Sequence, residues 1–361
     1  MTPECHRCVR LSLILEQIFR FLSPADIKAA ALVCRSGKIY HLFNYICLKS
    51  RNWKLVLETP RFWSWTRVIE LTSDNFEEIF CSQRFQKTIN SVRLTEVTGL
   101  QLELFFSGLV GCKIRNLDLS YNDCSSLSPH TLSQSIVKLE KVNLNKTSLS
   151  STQVNSIFKT LHTEKPTLEK VNLRWNNLYS VSAGLLSEAL VNLEDVNLSL
   201  TDLTAQQVEA VFAAIVGGNV LRLKSLSVSY NNLGEVPMES LSQAAVELEE
   251  INLYRTELSS VQVTEILLQI VKTRGGKLQS INLGGNNLSS VPPELLCQAV
   301  TLLETVKVSR SHLTPAQVSL LFSALAERDV HVRRITSKQN DISSLPPDTL
   351  QRVKEKIDLI Y

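Results

Sequence analysis

The sequence predicts an α/β solenoid, a horseshoe of parallel strands with helices on its convex side, preceded by a small all-α bundle. Three observations predict it. An eleven-residue pattern with apolar residues at fixed places recurs nine times between residues 114 and 342. Within each copy the apolar residues alternate at period two, the spacing of a strand with one face in a core. Between copies, Val261, Ile266, Leu267 and Ile270 fall near the 3.6-residue period of a helix.

The copies set out the elements in order. They read IRNLDLSYNDC from Ile114, LEKVNLNKTSL from Leu139, LEKVNLRWNNL from Leu168, LEDVNLSLTDL from Leu193 and LKSLSVSYNNL from Leu223. LEEINLYRTEL from Leu248, LQSINLGGNNL from Leu278, LETVKVSRSHL from Leu303 and VRRITSKQNDI from Val332 follow. Weaker copies, INSVRLTEVTG from Ile89 and TRVIEL from Thr66, extend the series toward the N-terminus. Successive starts differ by 25, 29, 25, 30, 25, 30, 25 and 29 residues. The residue at the bend alternates in step: Asn122, Thr147, Asn176, Thr201, Asn231, Thr256, Asn286, Ser311, Asn340. The true period is therefore a pair of units, 54–55 residues long.

In Asn-type units a turn leads to a short helix, with Pro292 and Pro293 placed to start one. In Thr-type units a longer helix is capped by Ser259 or Ser260 and ended by Gly275-Gly276. This pattern resembles the leucine-rich repeat, and the long helical units resemble its ribonuclease-inhibitor type. Each unit buries its apolar face only against its neighbours, so stability accumulates along the array.

Composition narrows the function. The chain has 361 residues, 44% hydrophobic and 20% charged, with a net charge of +3. That near-balance, without a run of Lys or Arg, argues against nucleic-acid or membrane partners. No apolar run reaches the ~18–20 residues of a membrane span, and Leu11 to Leu15 is too short for a signal peptide. The expected address is cytoplasmic, with the nucleus as the alternative. Eight scattered cysteines are expected to be reduced thiols. Cys5-His6-Arg7-Cys8 resembles half a zinc site but has no second pair at a suitable spacing, so no metal and no cofactor are expected.

No nucleophile elbow, phosphate loop or paired-histidine motif occurs. Glu140, Glu169, Glu194, Glu249-Glu250 and Glu304 recur in register, which marks a solvated edge rather than an acid/base pair. A catalytic role is not expected. The outward strand positions are the expected working surface. One column there is rich in asparagine (Asn143, Asn172, Asn197, Asn252, Asn282), whose amides can ladder between strands. Arg174, Trp175, Tyr230, Tyr254 and Arg255 are of the types that anchor protein interfaces, and they are the candidate partner-binding residues.

At the head of the chain, LILEQIFRFLSPADIKAAALVCR (Leu13 to Arg35) and NWKLVLETPRFWSW (Asn52 to Trp65) resemble the F-box motif. Leu15, Ile18, Phe19 and Leu22 form one helical stripe, and Ser23 and Pro24 suit a helix start. The resemblance implies residues 1–65 as an F-box-like module and 66–361 as the repeat domain. It implies docking on the adaptor and cullin of a cullin-RING ubiquitin ligase through Leu15, Ile18, Phe19, Leu22, Pro24, Ile27, Val33 and Trp53. The repeats would then hold a protein substrate for ubiquitination. The alternative is a repeat scaffold or inhibitor in which the module only caps the first repeat.

The chain departs from the F-box pattern in two places. Val9 to Ile14 lacks the family's Leu-Pro start, and Ser36 to Arg51 separates Arg35 from Asn52-Trp53. This insert is apolar where loops are polar, with Ile39, Tyr40, Leu42, Phe43, Tyr45 and Ile46. It reads as a functional loop, an extra helix packed on the module, or retained intron sequence, since Gly37-Lys38 can be encoded with an embedded splice-donor pattern.

Overall fold

The computed structural model describes residues 68–361, except 82–84, 86, 88, 165, 219–221, 328–330, 344 and the side chain of Val191. The F-box-like module, its insert at 36–51 and the expected boundary at 65/66 lie outside the described residues. The chain divides between Ser148 and Leu149 into two compact units.

The first unit carries parallel strands β1 (Val68–Thr72), β2 (Ser91–Thr95), β3 (Asn116–Asp118) and β4 (Lys141–Asn143), in sequence order. Helices α1 (Phe76–Phe80), α2 (Gly99–Gly108) and α3 (Pro129–Ile136) alternate with them. TRVIEL and INSVRLTEVTG therefore do supply strands. The core here is aromatic: the Phe80 ring centroid lies 5.2 Å from those of Phe76 and Phe105 and 5.4 Å from that of Phe85.

The second unit runs α4 (Ser151–Thr163), β5 (Lys170–Asn172), α5 (Ala183–Ala189), β6 (Asp195–Asn197), α6 (Ala205–Val216) and β7 (Ser225–Ser227). It continues with α7 (Met238–Glu247), β8 (Glu250–Asn252), α8 (Ser260–Thr273), β9 (Ser280–Asn282) and α9 (Pro293–Val300). It closes with β10 (Thr305–Lys307), α10 (Pro315–Glu327), β11 (Arg334–Thr336), α11 (Pro347–Lys356) and β12 (Asp358–Ile360). Its strands pair parallel in sequence order without a register slip, so Leu226 faces Ile251 and Ile251 faces Ile281. The centres of β5 to β11 and the residues two places on, mostly leucine or valine, are buried, as Val196 and Leu198 show, and these fill the core.

The alternation of bend residues has a physical cause. Asn231 Nδ2 donates to Leu198 O of the preceding unit at 2.8 Å and to Val228 O of its own unit at 3.0 Å. Its Oδ1 accepts from Thr201 N and Leu203 N, at 3.2 and 3.1 Å. Asn286 repeats this set on Leu253, Leu283, Thr256 and Leu258. A threonine reaches less far: the hydroxyls of Thr201 and Thr256 donate within their own turn, to Leu198 O and Leu253 O, and the next unit receives only a long 3.5 Å contact from Thr256 Oγ1 to Asn286 Oδ1. At the junction leaving an Asn-type unit the backbone bonds directly instead, Leu233 N to Thr256 O at 2.9 Å and Leu288 N to Ser311 O at 2.9 Å. One asparagine per pair of units thus serves the buried donors and acceptors that the backbone leaves open.

Long helices in the Thr-type units start at a capping box: Thr204 with Gln207, and Ser259 with Gln262. Ser259, rather than Ser260, is the cap. The glutamine also reaches outside its helix. Gln262 Nε2 donates to Leu233 O at 2.9 Å and Val236 O at 2.8 Å, and Gln317 Nε2 to Leu288 O and Val291 O, both at 2.7 Å. One buried amide therefore caps its own helix and fastens the preceding turn. In α8 the buried stripe is Val263, Ile266, Leu267 and Ile270. Val261 is 61% exposed, which corrects its expected place on that stripe. It stands at the second helical position, on the face opposite the core. Arg274, in the left-handed region at φ 54°, closes α8 ahead of the glycine pair.

Candidate functional site

The residue three places after each of strands β3 to β11 takes a left-handed backbone conformation. In the second unit these are Trp175, Leu200, Tyr230, Arg255, Gly285, Arg310 and Gln339, with φ between 52° and 71°. None is β-branched, as that region requires. The conformation costs each non-glycine residue roughly 1 kcal/mol, and backbone bonds to the next unit hold it in place. Trp175 N donates to Ser199 O at 3.1 Å, Tyr230 N to Tyr254 O at 2.9 Å and Arg255 N to Gly284 O at 2.9 Å. Side chains in this column are thereby directed away from the core, and Trp175 is 49% and Tyr230 36% exposed.

Four of the five candidate residues come together here. The Tyr230 and Tyr254 rings meet edge to face at 5.3 Å. The Arg255 guanidinium lies over both, 5.7 Å from the Tyr230 centroid and 5.8 Å from that of Tyr254. Arg174, from the unit two before Tyr230, lies 5.7 Å from the same Tyr230 centroid. Trp175 is exposed in the same outward column.

The residues between and beneath them explain the geometry. Between Arg174 and Tyr254 the column holds only Ser199 and Ser229, so a long side chain can lie across the intervening unit. The serines are fixed by their own network. Ser199 Oγ donates to Asn197 Oδ1 at 2.6 Å and accepts from Ser229 Oγ at 2.8 Å. Its single proton being so engaged, the 2.8 Å contact with Ser227 Oγ has Ser227 as the donor. On the other side Gly284 and Gly285 leave a gap. A methyl on Gly284 would stand 2.8 Å from Ser309 O and 3.0 Å from Tyr254 Cδ2, and one on Gly285 would run into Arg255 Cγ. Across that gap Arg310 approaches Tyr254 Oη at 3.5 Å and donates to Gln339. The sequence signal for the gap was available: two adjacent glycines in columns that otherwise carry side chains.

The asparagine column has a second task beside the inter-strand bond expected of it. In the second unit Asn172 Oδ1 accepts from Arg174 N at 3.0 Å and Asn252 Oδ1 from Tyr254 N at 3.1 Å. These bonds fix the backbone from which the cluster projects. A bond between neighbouring strands is made in the first unit, Asn143 Nδ2 to Asp118 Oδ1 at 2.9 Å.

The opposite ends of the strands carry the recurring acids, of which Glu140, Glu169, Glu194 and Glu304 are ion-paired. Glu194 binds Arg222 at 3.2 Å and Lys224 at 3.4 Å, Lys170 binds Asp195 at 3.2 Å, and Arg334 binds Asp358 at 2.7 Å. Hydrogen bonds from Arg222, followed by those from Lys224, hold the Glu194 carboxyl below its ordinary pKa. Burial pushes the Cys124 thiol up to about 12, so it stays protonated. Among the described residues no group of three or more His, Cys, Asp or Glu is placed to share a metal ion, and no helix is long and apolar enough to cross a membrane. The eight residues that the F-box resemblance assigns to adaptor binding, Leu15 to Trp53, lie outside the described residues.

Comparison with known proteins agrees with this architecture. The Leucine Rich Repeat family matches residues 277–299. No curated protein matches the sequence. Among solved structures, a chain in the Toll–Spatzle complex, a molecular hub in Drosophila development and innate immunity, is similar at 14% identity and a TM-score of 0.50. The match covers 81% of this chain and 43% of that one, so this chain spans less than half of that protein's length. The leucine-rich-repeat-containing protein LegL7 from Legionella pneumophila is similar at 16% identity and a TM-score of 0.48, over 86% of this chain and 96% of that one. At these identities the likeness is one of fold. The fold is that of a leucine-rich-repeat solenoid of parallel strands and alternating helices.

Proposed function

We propose that this protein is the substrate-recognition subunit of a cullin-RING ubiquitin ligase, non-catalytic in itself. The repeat strands hold a protein partner, and the N-terminal F-box-like segment docks on the ligase adaptor. The observation that carries the partner-binding half is the cluster of Arg174, Tyr230, Tyr254 and Arg255 beside exposed Trp175. Aromatic and arginine side chains held on rigid backbone lose little entropy on binding and are the usual anchors of interfaces. The adaptor-docking half is supported by the sequence stripe of Leu15, Ile18, Phe19 and Leu22, by Pro24 and Ile27, and by Val33 and Trp53. Function then follows from proximity: a tethered substrate meets the charged ubiquitin carrier at a raised effective concentration.

Co-precipitation of the full chain with purified adaptor and cullin tests the docking half. Recovery is expected from the intact chain and lost in Ile18→Asp/Leu22→Asp. Deleting Ser36 to Arg51 is expected to strengthen recovery and leave the repeats folded. If the intact chain and the deletion both fail to recover the adaptor, the ligase role is wrong and the module is a cap on the repeats.

A further inference from the structure

We infer that the strand-exit cluster of the second unit binds an extended acidic segment of its protein partner, with carboxylates seated on Arg174 and Arg255 and an aromatic or apolar side chain against Tyr230. This rests on the reading of the strand exits as the partner-binding face and names the chemistry of that partner.

The first ground is the distribution of charge. In the three outward columns between Asn172 and Gln339 the charged residues are Arg174, Arg255, Lys307, Arg310 and Lys338, with no Asp or Glu among them. Among the described residues none of these five forms an ion pair, whereas Lys170, Arg222, Lys224, Lys277, Arg333 and Arg334 all do. The chain as a whole is nearly balanced at +3, so the imbalance belongs to these three columns; the strand-start column beside them carries Glu250 and Asp195, the latter paired with Lys170. The nearest rim carboxylates in sequence, Asp202 and Glu257, already accept from Asn177 and Asn232 at 2.9 and 2.8 Å.

The second ground is preorganisation. A guanidinium resting on an aromatic ring is held in place while its N–H edges remain open, the arrangement that takes a carboxylate in two parallel hydrogen bonds. Arg174 and Arg255 lie at the same 5.7 Å from the Tyr230 centroid, so they stand no farther apart than twice that distance. Carboxylates two or three residues apart on an extended chain are separated by about 7–10 Å, which falls within that limit. A nucleic-acid strand is the less fitting polyanion. Five dispersed cations among asparagines and serines, with acids at the rim, do not make the continuous basic track that a phosphate backbone needs.

The test is fluorescence anisotropy with the full chain and a labelled random Glu/Tyr copolymer peptide as probe. A Lys/Tyr copolymer and a single-stranded oligonucleotide serve as comparisons. The Glu/Tyr probe is expected to bind, to weaken as salt is raised, and to lose at least about tenfold in affinity in R174E/R255E. In R174K/R255K, which keeps the charge but not the planar fork, the loss should be intermediate. Circular dichroism and the urea midpoint check that the variants are folded. No binding of the Glu/Tyr probe, equal binding by R174E/R255E, or equally tight binding of the oligonucleotide overturns the inference. Because the adaptor is assayed separately, failure here is distinguishable from failure of the docking half.

Discussion

The two ends of the strands in the Leu149–Tyr361 unit both carry cations and put them to different use. At the N-terminal ends several acids are paired with bases of neighbouring units, as Glu194 is with Arg222 and Lys224. At the C-terminal exits Arg174 and Arg255 rest on tyrosine rings with no carboxylate partner among the described residues, over a floor of small hydroxyls and beside a glycine gap. One end pairs several of its charges within the chain; at the other, the inferred acidic segment would complete them. A solenoid scaffold fixes both ends equally well, so the difference comes from side-chain choice at a few outward positions.

The comparison breaks most severely if the bend beneath the exits is removed. Asn286→Ala leaves the buried N–H groups of Thr256 and Leu258 and the carbonyls of Leu253 and Leu283 without their amide partner. At about 1–3 kcal/mol for each group left unsatisfied, a loss of roughly 3–5 kcal/mol is expected from urea unfolding after partial relaxation. Gln262→Ala removes a helix cap and two bonds to the preceding turn, Leu233 O and Val236 O. About 2–3 kcal/mol is expected from the same measurement. A value below half a kcal/mol for either would contradict the assignment of these amides as fasteners.

Smaller changes sharpen the contrast. Gly285→Ala puts a methyl into Arg255 Cγ at a left-handed residue, so about 1 kcal/mol of stability is expected to go. Its larger effect is on acidic-probe binding, because Arg255 is displaced from its rings. Arg222→Ala removes exposed ion pairs and is expected to cost less than about 1 kcal/mol, with probe binding unchanged. The smallest effect is pH dependence at the paired end. The Glu194 pKa is lowered, so its contribution is present above the ordinary carboxylate range and is lost as pH falls through the lower, folded value. Thermal unfolding of Glu194→Gln against the parent should therefore differ slightly at neutral pH and converge in acid.

Much of the fold was legible in the sequence. Period-two apolar residues repeated at alternating intervals can form little else, and the alternation of Asn with Thr at the bend announced a paired unit. The candidate residues were legible by type, since exposed aromatics and arginines in mid-array stand out. Their mutual contacts were not. Arg174 reaches Tyr230 only because Ser199 and Ser229 are small, which depends on how three successive units stack. Gly284 and Gly285 contribute by absence, which a pattern of side chains does not display. Only Ser259 or Ser260 reads as a cap in the sequence, and the double role of Gln262 needs the preceding turn within reach. Val261 and Val263 both suit a helical period read loosely, and only packing separates them.

The most direct measurement is the affinity of the Glu/Tyr copolymer for two charge-reversed variants of the full chain, R174E/R255E at the exits and R222E/K224E at the paired ends. Both change the net charge by the same amount. The structure predicts a loss of at least about tenfold for the first and less than about twofold for the second. Equal losses would show that the probe senses only total charge, and would contradict a binding site at the strand exits.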